Sequence, residues 1–537
     1  MRAPLAFVAA AFGFGIGLAW WLHPSLLLLR GLLLIAGVGL LQARDRPAMA
    51  NLCLLALVGI LGIFRAAGDA QVPVCSIARV LSEDPQPMTW RSEMVRPPLA
   101  AAMTWRSEMV RPPLAAAMTC EGMVVSDVEW IHPAQGPARR QGWFQITRIR
   151  NGGGWISSNG RVLLRLHAHN VPLAYGDHVR FSGSIRGPRP IVRGTDGGGR
   201  KFDEGNWLWI HGASGMLTIT NSEAITRLDT IPSLWIQYRR WVASFRWQSK
   251  QLGCSLLGPL EVAYLEAFLL GDGRGIPREV WDAFRKVGIV HVLVVSGLHV
   301  GLIASIGLIG LSLIRIPRAL RYHLLGAGLI TYCLLTGGNP PILRAAIMGV
   351  LLCLGRAAGR DVPVLNSLGL AALLILTTNP RALADVSFQL SFAAVLGLFT
   401  LSPWFAKWFK VDDESEATDP LGKMHPTPES ETVIQRWRRT LLRWMAQGFA
   451  ASCGAWVAIS PVVAWHFHMF TPIALIANLI VIPWTSLLIV IGLLVYSIGW
   501  INPVMATPFA VSFSWLVYGL NRLVIWSATL PGASWKW

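Results

Sequence analysis

Residues 291–302 read HVLVVSGLHVGL, an apolar run broken by Ser296, Gly297 and His299. Hydrocarbon offers no water to a polar side chain, so in a membrane span such residues face protein, a partner helix or an aqueous path. His291 and His299 are eight positions apart, about 80° around a helix turning roughly 100° per residue. A single helix through the run would put both on one broad face. Two readings stay open: this face lines a conduit, or Ser296 and Gly297 permit close helix packing while His299 hydrogen-bonds a neighbour.

Composition sets the class. Of 537 residues, 53% are hydrophobic and 14% charged, with mean hydropathy +0.47, whereas soluble domains carry about 25% charged residues. The expected fold is a polytopic α-helical membrane protein. The net charge of +18 suits anionic lipid or nucleic acid and does not choose between them. None of the seven cysteines forms a C-x-x-C pair or a zinc-spaced cluster with histidine, so no metal and no cofactor is expected. The absence of a G-x-x-x-x-G-K-[ST] loop argues against P-loop ATP hydrolysis.

Residues 3–22, 25–41 and 48–64 are apolar stretches of about bilayer length and read as an N-terminal three-span bundle, residues 1–65. Arg2, Arg44 and Arg46 mark the cytoplasmic ends, which places residues 66–230 outside. There, residues 88–102 repeat without change at 103–117, a local duplication rather than a solenoid. Cys75 and Cys120 form a candidate disulfide if this region is periplasmic. From Glu121 to about Thr220, short alternating segments broken by turns predict an inserted all-β, OB-like barrel or sandwich. Residues 130–201 hold 12 Lys/Arg against two acids, interleaved with aromatics. That is the make-up of a single-strand-binding groove, or of a small aromatic core solubilised by arginine. Candidate DNA contacts are Trp143, Phe144, Arg148, Arg150, Arg161, Arg165 and Arg180.

Residues 231–287 read as interfacial amphipathic helices, with a turn at 271–275 where Asp272 and Arg274 form a local pair. Residues 288–537 hold eight further apolar segments, for about eleven spans in all. Arginine and lysine in alternate loops put the polar loop 410–443, read as a mobile linker, on the cytoplasmic side and the C-terminus outside. Three of these spans are broken by polar groups: GGNPPILRAA (337–346), NPRALADVSFQLSF (379–392) and ANLIVIPW (477–484). Broken spans with freed backbone groups are typical of a substrate path. The candidate lining residues are Ser296, Gly297, His299, Asn339, Arg344, Gln389, Ser391 and Asn478. Against this, Arg344 has the alternative of snorkelling to the interface, and Asn478 that of an interhelical hydrogen bond.

HVLVVSGLHVGL, with the preceding FLLGDGRGIPREVWDAFRKVGI and the later PPILRAA, NPRALADVSFQLSF and NLIVIP, resembles the competence domain of the ComEC family. The resemblance implies an inner-membrane channel for single-stranded DNA in natural transformation. It also implies a DNA-receptor protein outside and a helicase-like ATPase in the cytoplasm as partners, besides membrane lipid. Many family members add a metallo-β-lactamase-like domain with an H-x-H-x-D-H motif, which this sequence lacks. Either that domain is truncated here or a separate nuclease supplies its activity, and the chain itself is expected to be a channel rather than an enzyme. Two rival readings remain: a secondary transporter for a small anion, and an intramembrane hydrolase using Ser296 and His299.

Overall fold

The computed structural model describes residues 4–22, 56, 58–63, 65–66, 116–126, 128–131, 139–151, 154–167, 173–187, 204–220, 224–228, 233–409, 433–530 and 533–536. The chain forms two compact units, residues 1–245 with 372–385, and residues 246–371 with 386–537.

The first unit opens with helix α1 (Pro4–Leu22). It packs closely on the helical residues near 59–62: a Cβ on Gly15 would strike the Gly59 carbonyl, and one on Gly62 the Phe12 carbonyl. Small residues here let two backbones touch. The expected span 25–41 and the first copy of the duplication lie outside the described residues.

The β domain comprises β1 (Ala116–Val124), β2 (Glu129–Ile131), β3 (Arg139–Asn151), β4 (Gly154–Leu166), β5 (His178–Arg186), β6 (Ala213–Ile219) and β7 (Ile225–Leu228). The order β1-β3-β4-β6-β5 closes through β1–β5 pairing, with β4 and β6 parallel and the other neighbours antiparallel. Alternation sends Val179, Phe181 and Ile185 of β5 inward and leaves Arg180 between them facing out. On β3 a register shift between Ile146 and Arg148 resets the alternation, so Phe144, Ile146 and Ile149 all reach the core. Cys120 is a free thiol in this core, and burial pushes it up to about 12. Cys75, its proposed partner, lies outside the described residues.

A short helix, α2 (Glu204–Ile210), appears where the sequence reading expected only strands and turns. Leu208 seals it onto Leu163 and Met216, and Arg186 holds Glu204 at 2.9 Å. Helix α3 (Leu234–Leu256) follows. In this unit its Arg240 bonds the Tyr175 carbonyl at 2.9 Å and Asp177 at 2.7 Å. Trp235, Tyr238, Trp241 and Phe245 run along it in ring steps of 6.0 Å.

The second unit is helical. Helix α4 (Pro259–Leu265) widens into a π-turn, Glu266–Leu270, which Gly271 ends at φ 75°. Then come α5 (Arg278–Val287), α6 (Gly297–Leu313), α7 (Arg318–Leu335), α8 (Pro340–Ala357), α9 (Val364–Thr378, shared with the first unit) and α10 (Val386–Thr400). The last elements are α11 (Ser402–Trp408), α12 (Val433–Phe467), β8 (Met469–Phe470), α13 (Ala474–Gly499), α14 (Pro503–Thr529) and β9 (Trp535–Lys536). Tyr264, Phe268, Phe284, Leu488, Phe513 and Leu520 fill its main core, where Tyr264 bonds Asn521 at 2.6 Å. Glu266 is buried and takes Lys250 at 3.1 Å. Burial raises its carboxyl above the ordinary range despite that cation. The Asp272–Arg274 pair is present at 2.7 Å.

Among the described residues, five helices are long and apolar enough to cross a membrane, six if the bent pair α10 and α11 counts as one span. Large apolar side chains such as Ile309, Leu352, Trp404, Ile476 and Trp515 are exposed on them, as lipid contact requires. This is a multi-pass membrane protein.

Three expectations are corrected. The expected span at 288–314 is present as an apolar stretch over Val290–Leu313, but not as one helix: α5 stops at Gly288 (φ 80°), a 3-10 turn covers Val290–Val292, and α6 starts only at Gly297. The expected single span 386–405 bends by 40° between α10 and α11. Residues 433–443 are helical rather than linker, because Trp437, Leu441, Leu442 and Trp444 let α12 extend back into the polar segment. Residues 410–432 lie outside the described set.

Candidate functional site

The break before α6 organises the polar residues. Ser296 is extended (φ −114°, ψ 176°) and caps α6. Three residues on, His299 takes the place that Glu or Gln holds in an ordinary capping box. Its Nδ1 accepts the Ser296 backbone N–H at 3.2 Å and lies 3.0 Å from Ser296 Oγ. An accepting Nδ1 carries no proton, so the neutral ring bears its proton on Nε2. His299 is 1% exposed, and Nε2 has no hydrogen-bond partner. The Phe268 ring of the π-turn stands 5.8 Å away. His291 lies in the 3-10 turn and His299 in α6 beyond the break, so the shared helical face of the two histidines does not exist.

Arg344 reaches the same turn from α8. Asn339, Pro340 and Pro341 start that helix, and proline at the head of a helix costs nothing because its missing N–H would be unpaired anyway. The guanidinium is 6% exposed. Its Nη1 donates to the Ser391 carbonyl of α10, and it lies 5.9 Å from the Phe392 ring centroid. On the other side it rests on Gly297, where a Cβ would come within 2.9 Å of Nη2. Arg344 Nε and Ser391 Oγ are enclosed without a partner. Arg344 has no carboxylate partner among the described residues.

Ser296, Gly297, His299, Arg344 and Ser391 thus come together, joined by Phe268 and Phe392, which sequence reasoning did not single out. Three other candidates stand elsewhere. Gln389 bonds His466 of α12 at 2.9 Å. Asn339 is exposed at the head of α8 and makes no side-chain cap. Asn478 of α13 keeps a buried, unpartnered Oδ1. As a hydrolytic pair, Ser296 and His299 lack the carboxylate that would hold the far ring nitrogen.

On the barrel, the register gathers Arg148, Arg150, Trp155, Arg180 and Glu121 on one face. Arg148 and Arg150 are exposed. Trp155 is 38% exposed, with the Arg180 guanidinium 5.2 Å from its ring centre. Glu121 takes up part of Arg180 at 2.6 Å. The remaining candidates divide. Phe144 is fully buried against Phe181 at 4.8 Å and has no face to offer a base. Trp143 stacks on Trp207 and His211, both at 5.4 Å. Arg165 lies 3.9 Å from Glu204, and exposed Arg161 reaches the His211 carbonyl at 3.4 Å. Trp155, one of the aromatics interleaved with the arginines in the sequence, joins this face through its pairing with Arg150 across the turn.

The family model described as Competence protein matches residues 268–537. ComE operon protein 3 of Bacillus subtilis is 26% identical over 331 residues, 60% of this chain and 37% of that protein. The uncharacterized protein YcaI of Escherichia coli is 30% identical over 241 residues, 42% of this chain and 28% of that one. Competence protein ComA of Neisseria gonorrhoeae is 24% identical over 240 residues, 42% of this chain and 31% of its own length. The chain spans well under half the length of these relatives. No solved structure matches.

Proposed function

The chain belongs to the competence-protein family, and on that premise we propose that it carries single-stranded DNA across the cytoplasmic membrane during natural transformation. The observation that carries this reading is Arg344, a guanidinium enclosed in an apolar bundle beside a broken span, with no carboxylate to neutralise it among the described residues. An unpaired cation at that depth is costly and is kept where a charged substrate or water reaches it. In this reading about eleven spans form the membrane part. Ser296, His299 and Arg344 line the path, with Gln389 and Asn478 further along it.

The β domain is the capture module on the outer side. Its closed five-stranded order with one parallel pair supports an OB-like fold, and such barrels bind oligonucleotides on their sheet face. Arg148 and Arg150 would contact phosphates while Trp155 stacks a base. A receptor outside, a cytoplasmic ATPase and a separate nuclease would complete the pathway. A transporter of a small anion would explain Arg344 equally well; the Arg–Trp face of the barrel favours a polymer.

The test is transformation of a competent host carrying only Arg344→Gln or His299→Asn, with membrane insertion checked by fractionation. Uptake should fall by roughly 100-fold if one or two hydrogen bonds to a charged group are lost. Normal uptake with normal insertion refutes the path.

A further inference from the structure

Resting on the reading that a phosphate polymer reaches the bundle, we infer that the first turn of α6, Arg344 and His299 form a seat for one phosphodiester group. Three observations converge. The guanidinium lies against Gly297, the first residue of α6, and a helix start carries about half a positive charge. Two positive ends that meet with no acid beside them among the described residues favour an anion between them. His299 sits in that same first turn, 1% exposed, with Nδ1 spent on the cap and Nε2–H without an acceptor. Arg344 is 6% exposed and, among the described residues, bonded to the Ser391 carbonyl alone, with Nε unpartnered, and Ser391 Oγ is likewise enclosed and unpartnered.

The unmet groups have one character. Arg344 Nε and His299 Nε2 are donors that cannot accept, and a serine hydroxyl can donate. Such a set selects a ligand that only accepts. A phosphodiester monoanion presents two non-bridging oxygens, one for the guanidinium and one for the helix start and the imidazole. Gly297 is what admits the guanidinium, since a Cβ there intrudes on Nη2. The phosphodiester has two sources, a nucleic-acid backbone or a phospholipid head group.

The experiment is a phosphorus NMR titration of dimethyl phosphate against the full chain in maltoside micelles, at constant ionic strength set with chloride. Saturable binding is expected. It should weaken roughly tenfold or more in Arg344→Gln and in His299→Asn, since bonds to charged groups are the strong ones, and less in Gly297→Ala. His299→Asn is the safeguard against misfolding, because its amide oxygen still accepts the Ser296 N–H and only the Nε2 donor is lost. No saturable binding, or binding in folded His299→Asn and Arg344→Gln as tight as in the unaltered chain, overturns the seat. Displacement by oligothymidylate identifies the nucleic-acid backbone as occupant. Displacement by phosphatidylglycerol alone keeps the seat and removes it from the DNA path. If the variants lose uptake while dimethyl phosphate never binds, the seat fails and the channel reading stands. If they lose dimethyl phosphate but keep uptake, the channel reading fails.

Discussion

Arginine serves opposite ends in the β barrel and in the helical bundle. On the barrel, Arg180 shares Glu121 and the Trp155 ring, Arg186 shares Glu204, and Arg148 and Arg150 stand in solvent. Such contacts are screened by salt, individually weak and roughly additive. In the bundle, Arg344 is enclosed with a single carbonyl and an aromatic face, where little water screens it. The difference teaches that the barrel spreads its cations over weak, screened contacts while the bundle encloses a guanidinium; on the proposed reading, the barrel would hold a polymer loosely and let it move. Many weak contacts suit capture; one strong contact suits a checkpoint.

The comparison is broken most decisively from inside the barrel. Phe144→Ala empties the core and should cost about 3–5 kcal/mol of stability, read by denaturant unfolding of the β-domain signal. DNA affinity of the folded fraction should not change; a loss there would return Phe144 to the binding face. Next, Arg344→Gln should lower uptake by roughly 100-fold, and no single barrel arginine should match it in the same transformation assay. Trp155→Ala should weaken oligothymidylate binding by the full chain roughly tenfold, the worth of about one base stack. Joint replacement of Arg148 and Arg150 by alanine should flatten the dependence of log affinity on log salt by about 1.4, two phosphates at roughly 0.7 each. A salt slope that does not move would mean that the face does not meet phosphate.

The smallest effect concerns Glu266 in the second unit. Its carboxyl is raised by burial against the pull of Lys250, so the folded chain binds that proton more tightly than the unfolded one. The stability it contributes is full below the ordinary carboxylate range and is lost as pH rises through the raised value. Glu266→Gln should therefore give a flatter profile of thermal stability against pH above that range. An unchanged profile would show that Lys250 already compensates the burial.

Much of this was legible in the sequence because it depends on local chemistry. Apolar length marks the helices from α6 onward, and Ser296, Gly297 and His299 stood out as polar or small groups in an apolar run, but the helix break before Gly297 was not legible in them. Asn339, Pro340 and Pro341 announced the head of α8. Phe144 was misread because the shift between Ile146 and Arg148 lies in the pairing of β3 with β4, and alternation read along one strand cannot register it. Helix α2 was missed because seven residues rich in tryptophan carry too little periodicity. The partner of Gln389, His466, is 77 positions away, out of reach of any local reading.

By itself the sequence determined that this is a basic, multi-pass membrane protein with a β insertion and with polar breaks at particular depths, since hydropathy and turn chemistry act within a few residues. Only the tertiary structure decided which breaks meet. Arg344 meets Ser391, 47 positions later, and Gly297, in an earlier helix; Asn478 shares neither contact. The physical reason is that a helix leaves each polar side chain a choice of neighbours, and that choice is made when whole helices pack, by the fit of small residues such as Gly297 against large ones.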